Sequence, residues 1–267
     1  MNPMILAIDI GNTTTSFGVF DGRKLASQFS IATQPNRTPA ERRAGRGAES
    51  RAKRGNEIVR SIQKRGIKIS RADEILICSV VPVMTRALAQ ALRRMGARRV
   101  RIVGQDLEVP LVNRYTYPEQ VGQDRLVGAY AAWKQFKRAC IVADFGTAIT
   151  IDVVTKRGEY LGGVIAPGFE ISLEALATRT ALLPKVELRE PPELLGRDTA
   201  NSIRSGLIHG CAALCDGLIR EMKARYAPSA TVVATGGASP LMAKYAKSLT
   251  HLKPHLILEG LYALKFL

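Results

Sequence analysis

One seven-residue pattern occurs twice in this chain. Asp9-Ile10-Gly11-Asn12-Thr13-Thr14-Thr15 and Asp144-Phe145-Gly146-Thr147-Ala148-Ile149-Thr150 both read Asp-x-Gly-[Asn/Thr]-x-x-Thr. Each copy ends an apolar run and leads into a second one. Residues 4–10, 14–20 and 23–31 read as three antiparallel strands, with Asp21-Gly22 as a hairpin turn. Residues 140–145, 148–154 and 160–165 repeat the scheme around Lys156-Arg157-Gly158. The conserved spacing therefore sits in a β-turn-β element and not in a strand-to-helix loop. A sequence that repeats such a unit implies a duplicated pair of mixed α/β domains, 1–118 and 119–267, facing each other across a cleft with both turns at the cleft.

The remaining periodicity fits that frame. Residues 74–81 read as a buried strand closed by Pro82, 85–95 as an amphipathic helix with Arg86, Arg93 and Arg94 outward, and 99–103 as a strand. A helix is expected from Gln123 to Phe136, another over 169–178, and a long one over 198–226 with Asp198 as N-cap. Residues 231–234 predict a strand, 255–258 another, and 260–266 a final helix. The stretch 33–66 is harder. Thr38 and Pro39 look like a helix start, but Glu41–Gly55 carries arginines without an apolar stripe, and apolar spacing returns only at Ile58, Val59 and Ile62. A solvated helix or helix pair is the expectation there.

The chain has 267 residues, 39 Lys+Arg against 23 Asp+Glu and a net charge of +16. Such a surface attracts nucleic acid, acidic lipid or a small polyanion such as ATP. The basic residues are dispersed and not interleaved with aromatics, which argues against nucleic acid as the partner. Of the four cysteines, Cys78 and Cys140 border strand-like runs and read as small buried residues. Cys211 and Cys215 share a helix face, with His209 on another, so the metal-ligand set is incomplete. No run approaches the ~18 apolar residues of a membrane span. The start leads into a strand without a basic, apolar leader, so a cytoplasmic location is expected.

The repeated turns have the chemistry of phosphate cradles. Gly11 admits close backbone approach and positive φ. Turn amides with the hydroxyls of Thr13, Thr14 and Thr15 suit phosphate oxygens, and Asp9 suits a hydrated Mg²⁺ that neutralises them. In the second copy Asp144 is a hard anionic ligand for a cation and Thr147 a phosphate donor, whereas Asp152 reads as an ion-paired strand residue. Thr235-Gly236-Gly237, between a buried strand and a helix, suits the nucleoside end. Between the two turns lies Gly122-Gln123-Asp124-Arg125 at a helix start. Alone it is an ordinary first turn, where aspartate is favoured. Beside two phosphate turns, Asp124 becomes the acceptor of a hydroxyl proton, and Arg125 a clamp for either a substrate carboxylate or the transferring phosphoryl group. Thr180 either faces substrate or ends a helix before Pro184.

Taken in order, Asp9–Ser16, Pro118-Glu119 with Gly122–Arg125, Asp144–Thr147, Gly162-Gly163 to Pro167-Gly168, Thr180-Ala181 with Leu183-Pro184, and Thr235–Gly237 resemble the type III pantothenate kinases. These belong to the superfamily of acetate and sugar kinases, heat-shock chaperones and actin. The resemblance implies two duplicated ribonuclease H-like (actin-like ATPase) domains with mixed sheets flanked by helices. It implies ATP- and Mg²⁺-dependent phosphorylation of pantothenate, the first step of coenzyme A synthesis. ATP would be contacted by Asp9, Ile10, Gly11, Asn12, Thr13, Thr14, Thr15, Ser16 and Thr147. Asp124 would be the catalytic base, with Tyr115, Gly122, Gln123, Asp124, Arg125 and Thr180 lining the pantothenate pocket. Asp144 would bind K⁺ or NH₄⁺, and the protein would be a homodimer. Two departures stand out: relatives carry an amphipathic leucine-rich helix where this chain has Glu41–Gly55, and a small residue is common at position 123. Two other classes fit the fold, a non-catalytic nucleotide-binding regulator or nucleic-acid binder, and a kinase for a sugar or acetyl-type acceptor. An intact Gly-x-Asp-Arg favours catalysis, and Arg125 favours an acceptor that carries a carboxylate.

Overall fold

The computed structural model describes residues 3–33 and 48–267. The expected helix start at Thr38-Pro39 and the basic stretch up to Gly47 lie outside the described residues. The chain divides into two compact units: Met1–Val109 with Val121–Val127 and Ile257–Leu267, and Pro110–Gln120 with Gly128–Leu256. The first unit therefore takes in the start of the central helix and the last residues of the chain. No helix among the described residues is long and apolar enough to cross a membrane.

In the first unit, β1 (Met4–Ile10), β2 (Thr14–Asp21), β3 (Lys24–Ala32), β4 (Glu74–Ser79) and β5 (Val100–Ile102) form one sheet in the order β3-β2-β1-β4-β5. The meander β1-β2-β3 is antiparallel, and β4 and β5 extend it in parallel through helical crossovers α1 (Ala48–Gln63) and α2 (Pro82–Arg94). Strand alternation puts Leu6, Ile8 and Ile10 on one face, with Phe17, Val19, Ile75 and Ile77. Ile58, Val59 and Ile62 of α1 and Leu88 and Leu92 of α2 close over that face. The apolar spacing that returns at Ile58 is thus the buried stripe of a real helix. Pro82 does not merely close a strand; it occupies the first turn of α2, where a missing N–H leaves no unmet bond.

The second unit repeats the topology. Strands β7 (Cys140–Phe145), β8 (Ala148–Val154), β9 (Glu159–Pro167), β10 (Thr231–Thr235) and β11 (His251–Leu252) run β9-β8-β7-β10-β11, and β6 (Val112–Asn113) adds to the β9 edge. The central helix α3 (Gln123–Phe136) precedes them; α4 (Phe169–Arg179) and α5 (Thr199–Arg225) follow the meander, and a short α6 (Ser239–Met242) follows β10. One face of α5 (Ile208, Ala212, Cys215, Ile219, Met222) packs on Ile141, Ala143, Ile151 and Val232. Cys211 and Cys215 do share that face, as apolar filler. Burial pushes the Cys215 thiol up to about 12, and the buried Cys140 thiol likewise to about 12.

The chain's end corrects one expectation. Residues 255–258 are not a strand: β11 lies earlier, and Leu256–Leu264 is a helix, α7. A short apolar run does not distinguish strand from helix, and the buried Leu258, Leu261 and Leu264 share a helical face. That helix covers the opposite side of the first sheet, where Tyr262 stacks on Phe20 with ring centroids 4.4 Å apart and Leu258 lies over Gly18.

Asp198 caps α5 as expected, Oδ1 accepting the Asn201 N–H at 2.8 Å. That amide bond, followed by the Asn201 side chain, holds the Asp198 carboxyl below its usual range. A depressed carboxyl stabilises the fold above its unfolded pKa and loses that contribution as pH falls through the folded value. Asp198→Ala should therefore lower Tm at neutral pH, with the gap to wild type closing in acid; a gap independent of pH would remove the ionised cap.

Candidate active site

In the first unit the repeated turn joins β1 to β2. Asp9 stands one residue before the end of β1, half-buried, with Ser16 of β2 and Cys78 of β4 as its lateral neighbours. The tip, Asn12, Thr13 and Thr14, is exposed. Thr15 is fully buried and its hydroxyl pairs with that of Thr33 at 2.9 Å, while the Ser16 hydroxyl pairs with Ser30 at 3.0 Å. Of the hydroxyls in this segment, those of Thr13 and Thr14 lie at the exposed tip. Gly11 is not in the left-handed region. Its need for glycine is spatial, since a Cβ would come 3.0 Å from the Thr14 carbonyl that its own N–H binds.

Gly122–Arg125 lies in the same unit. The Gly122 carbonyl accepts from the Arg125 and Leu126 amides at 3.1 and 3.3 Å, so Gly122 opens the helix and Asp124 sits in its first turn. Asp124 Oδ1 accepts from the Arg125 N–H at 2.8 Å, and the carboxylate folds back over Gly122, where any Cβ would overlap it. Free amides at a helix start favour negative charge at that point. Gln123 finds its space above Gly104, which follows β5 and has no side chain to obstruct it. The bulk at position 123 is therefore matched by a glycine.

One buried thiol links the two carboxylates. Cys78 is pushed well above its ordinary range, chiefly by burial and then by the charges of Asp9 and Asp124. The sequence-predicted Mg²⁺ ligand and base thus act on one point of one unit.

The second unit gathers its own motifs. Asp144 stands one residue before the end of β7, half-buried, with Thr150 and Thr235 as lateral neighbours, the positions equivalent to those around Asp9. The Thr235-Gly236-Gly237 turn packs onto it. Gly236 has φ +86°, and a Cβ there would overlap the Asp144 carboxylate and come 2.8 Å from the Phe145 backbone. Gly168, at the start of α4, is pressed against the Gly146 and Thr147 carbonyls. Asp152 is buried and accepts the Tyr160 hydroxyl at 2.7 Å. The half-buried Tyr115 lies on Gly162, its ring 6.5 Å from that of Tyr160. Thr180 is exposed at the end of α4, its hydroxyl donating to Leu176 O at 2.7 Å. The predicted substrate residues are thus divided, Gly122–Arg125 in the first unit and Tyr115 and Thr180 in the second. Tyr160 and Thr33 were not anticipated; their partners stand 8 and 22 residues away, with no local pattern to mark them.

Among the described residues there is no cluster of three His, Cys, Asp or Glu side chains able to hold a metal. A cation at Asp9 would rely on one carboxylate plus substrate phosphates, which is the usual manner for Mg²⁺ beside a nucleotide. A cavity of about 460 Å³ elsewhere in the second unit is edged by Arg220, Lys223 and Lys247 and includes none of the predicted site residues.

Two sheets with the same 3-2-1-4-5 order, each with an aspartate one residue before the end of its first strand, define the actin-like ATPase and sugar kinase class of fold. The structure is similar to that of (R)-2-hydroxyglutaryl-CoA dehydratase component A from Acidaminococcus fermentans, with a TM-score of 0.55 over 99% of this chain and 98% of that one at 14% identity. The chain belongs to the type III pantothenate kinase family, whose model matches residues 5–221. It is 39% identical over 258 residues to the type III pantothenate kinase of Anaeromyxobacter sp. strain K, covering 97% of each chain. It is also 39% identical over 271 residues to that of Rubrobacter xylanophilus, covering 98% of this chain and 97% of the relative.

Proposed function

We propose that this protein transfers the γ-phosphoryl group of ATP to the hydroxyl of pantothenate, forming 4′-phosphopantothenate in the first step of coenzyme A synthesis. Family membership over nearly the whole chain supports the acceptor. The observation that carries the chemistry is Asp124, a half-buried carboxylate in a helix's first turn, sharing its surroundings with Asp9.

In this reading the pantothenate hydroxyl oxygen forms a bond to the γ-phosphorus as the bond to the bridging oxygen breaks and ADP leaves. Asp124 accepts the hydroxyl proton. Phosphoryl transfer needs little else from a protein beyond positioning and positive charge. Arg125 supplies a two-pronged donor for either the pantothenate carboxylate or the moving phosphoryl group. The segment Asp9–Ser16 holds ATP, with turn amides and the exposed Asn12, Thr13 and Thr14 toward the phosphates, and Thr147 adds a donor from the second turn. Gly122, Gln123, Tyr115 and Thr180 shape the pantothenate pocket. Mg²⁺ held through Asp9 would neutralise phosphate charge. Asp144, one hard carboxylate against the Gly236 backbone, suits a monovalent cation, K⁺ or NH₄⁺. The same reading keeps 1–118 and 119–267 as the duplicated halves.

An assay coupled to ADP release, run with pantothenate against other hydroxy acids and sugars, tests this. Turnover is expected with pantothenate alone, and only with K⁺ or NH₄⁺ present. A sugar as the better acceptor would overturn the assignment, and equal rates in Na⁺ would remove the role of Asp144. A cytoplasmic homodimer belongs to the same reading, with the exposed Leu182, Leu194 and Leu195 offering apolar surface for it. A single-subunit mass by light scattering, or recovery of the enzyme with the membrane fraction, would contradict it.

A further inference from the structure

We propose that Arg54 is a positioning residue for the nucleotide turn, acting through Thr33; this rests on the reading of Gly11–Thr14 as the phosphate-binding tip. Thr33 directly follows β3 and is fully buried. Its N–H donates to the Thr13 carbonyl at 2.8 Å, and its hydroxyl donates to the Gly11 carbonyl at 2.7 Å. One residue therefore holds the backbone on both sides of Asn12. The same hydroxyl meets Thr15, so the turn is fixed from below as well.

Thr33 is in turn held by a guanidinium. Arg54 Nε donates to the Thr33 carbonyl at 3.0 Å, Nη2 donates to the Ala32 carbonyl, and Nη1 donates to Glu57 Oε2 at 2.9 Å. Three acceptors on two elements use the planar fork of an arginine, which lysine does not reproduce. The helix that carries Arg54 is itself fixed. Ile58, Val59 and Ile62 are fully buried, and Gly55 is so close to α2 that a Cβ would lie 2.7 Å from the Ala87 carbonyl. Rigidity thus passes from the core helix through Arg54 to the strand end, through Thr33 to the turn carbonyls, and so to the amides that face phosphate. Arg54 lies in the basic run expected to be solvated, yet its side chain turns inward, with 19% exposure.

The test measures ATP affinity by calorimetry and steady-state kinetics for Arg54→Met, Arg54→Lys, Thr33→Val and Thr33→Ser. Losing a hydrogen bond that orders the turn, charge-assisted at Arg54 and neutral at Thr33, should weaken ATP binding roughly 10-fold in Arg54→Met and Thr33→Val. The KM for pantothenate should stay within about 2-fold, because the acceptor makes no use of this turn. Arg54→Lys should fall between, and Thr33→Ser, which keeps the hydroxyl, should match wild type. Parallel losses in both KM values, or unchanged ATP affinity in Arg54→Met with an active wild type, would overturn the proposal. A wild type that binds ATP without phosphorylating pantothenate would instead overturn the functional reading, while the calorimetric comparison still decides the role of Arg54.

Discussion

Asp124→Asn should lower kcat with pantothenate by about 10²–10⁴-fold, the usual contribution of a positioned general base, while ATP affinity stays within a few-fold of wild type. The amide keeps the shape of the carboxylate and an oxygen to accept the Arg125 N–H, so the helix start survives. What disappears is the ability to take the hydroxyl proton. The Asp124 charge is also one of the influences raising the Cys78 pKa, but burial is the larger cause, so that thiol stays protonated in the variant. Rapid-quench measurement of the first turnover, with ATP affinity from calorimetry, separates chemistry from binding. A fall of less than tenfold in the chemical step would assign the proton to another acceptor.

The second large effect belongs to neighbouring glycines that behave differently. At Gly236 an alanine must adopt φ near +86° and must displace the Asp144 carboxylate or the Phe145 backbone. Backbone strain of that kind costs about 1–3 kcal/mol before any clash is counted. In a unit of this size it corresponds to a fall of several degrees in Tm, at roughly 2–4 °C per kcal/mol. At Gly237 a Cβ meets nothing within 4 Å, so Gly237→Ala should stay within about 0.5 kcal/mol of wild type. Thermal melts of both variants, with their K⁺ dependence, check this. Equal stability of the two would mean that Asp144 is not held by the Gly236 backbone.

The doubled Asp-x-Gly pattern was enough to anticipate the doubled sheet, because strand-turn-strand chemistry is local and apolar runs of period two survive in a single sequence. The bounds of α3 and β7 were legible for the same reason, and Asp198 announced its cap by residue type. The last strand was misplaced because Leu256-Ile257-Leu258 is apolar in either conformation and only packing on the first sheet chooses the helix. Within the candidate site, residue types marked Asp9, Asp124 and Asp144. The support beneath them did not show. Thr33 reaches Gly11 across 22 residues of chain, Arg54 reaches Thr33 across 21, and Gly104 matches Gln123 across two elements. Such contacts depend on tertiary placement and leave no periodic trace.

The covering of the first sheet has a consequence for how the polypeptide is made. One face of that sheet is closed by α7, through Tyr262 on Phe20 and Leu258 over Gly18, and these α7 residues follow the strands of the second unit in the chain. Strands β1 and β2 therefore stand with that apolar face uncovered until the strands of the second unit have been translated. The second unit has all its strands by Leu252 and can fold while synthesis continues. The sheet translated earlier is thus covered after the strands of the later one are complete. A chain ending at Leu256 should lose amide protection in β1 and β2 first, a loss that hydrogen exchange reads strand by strand.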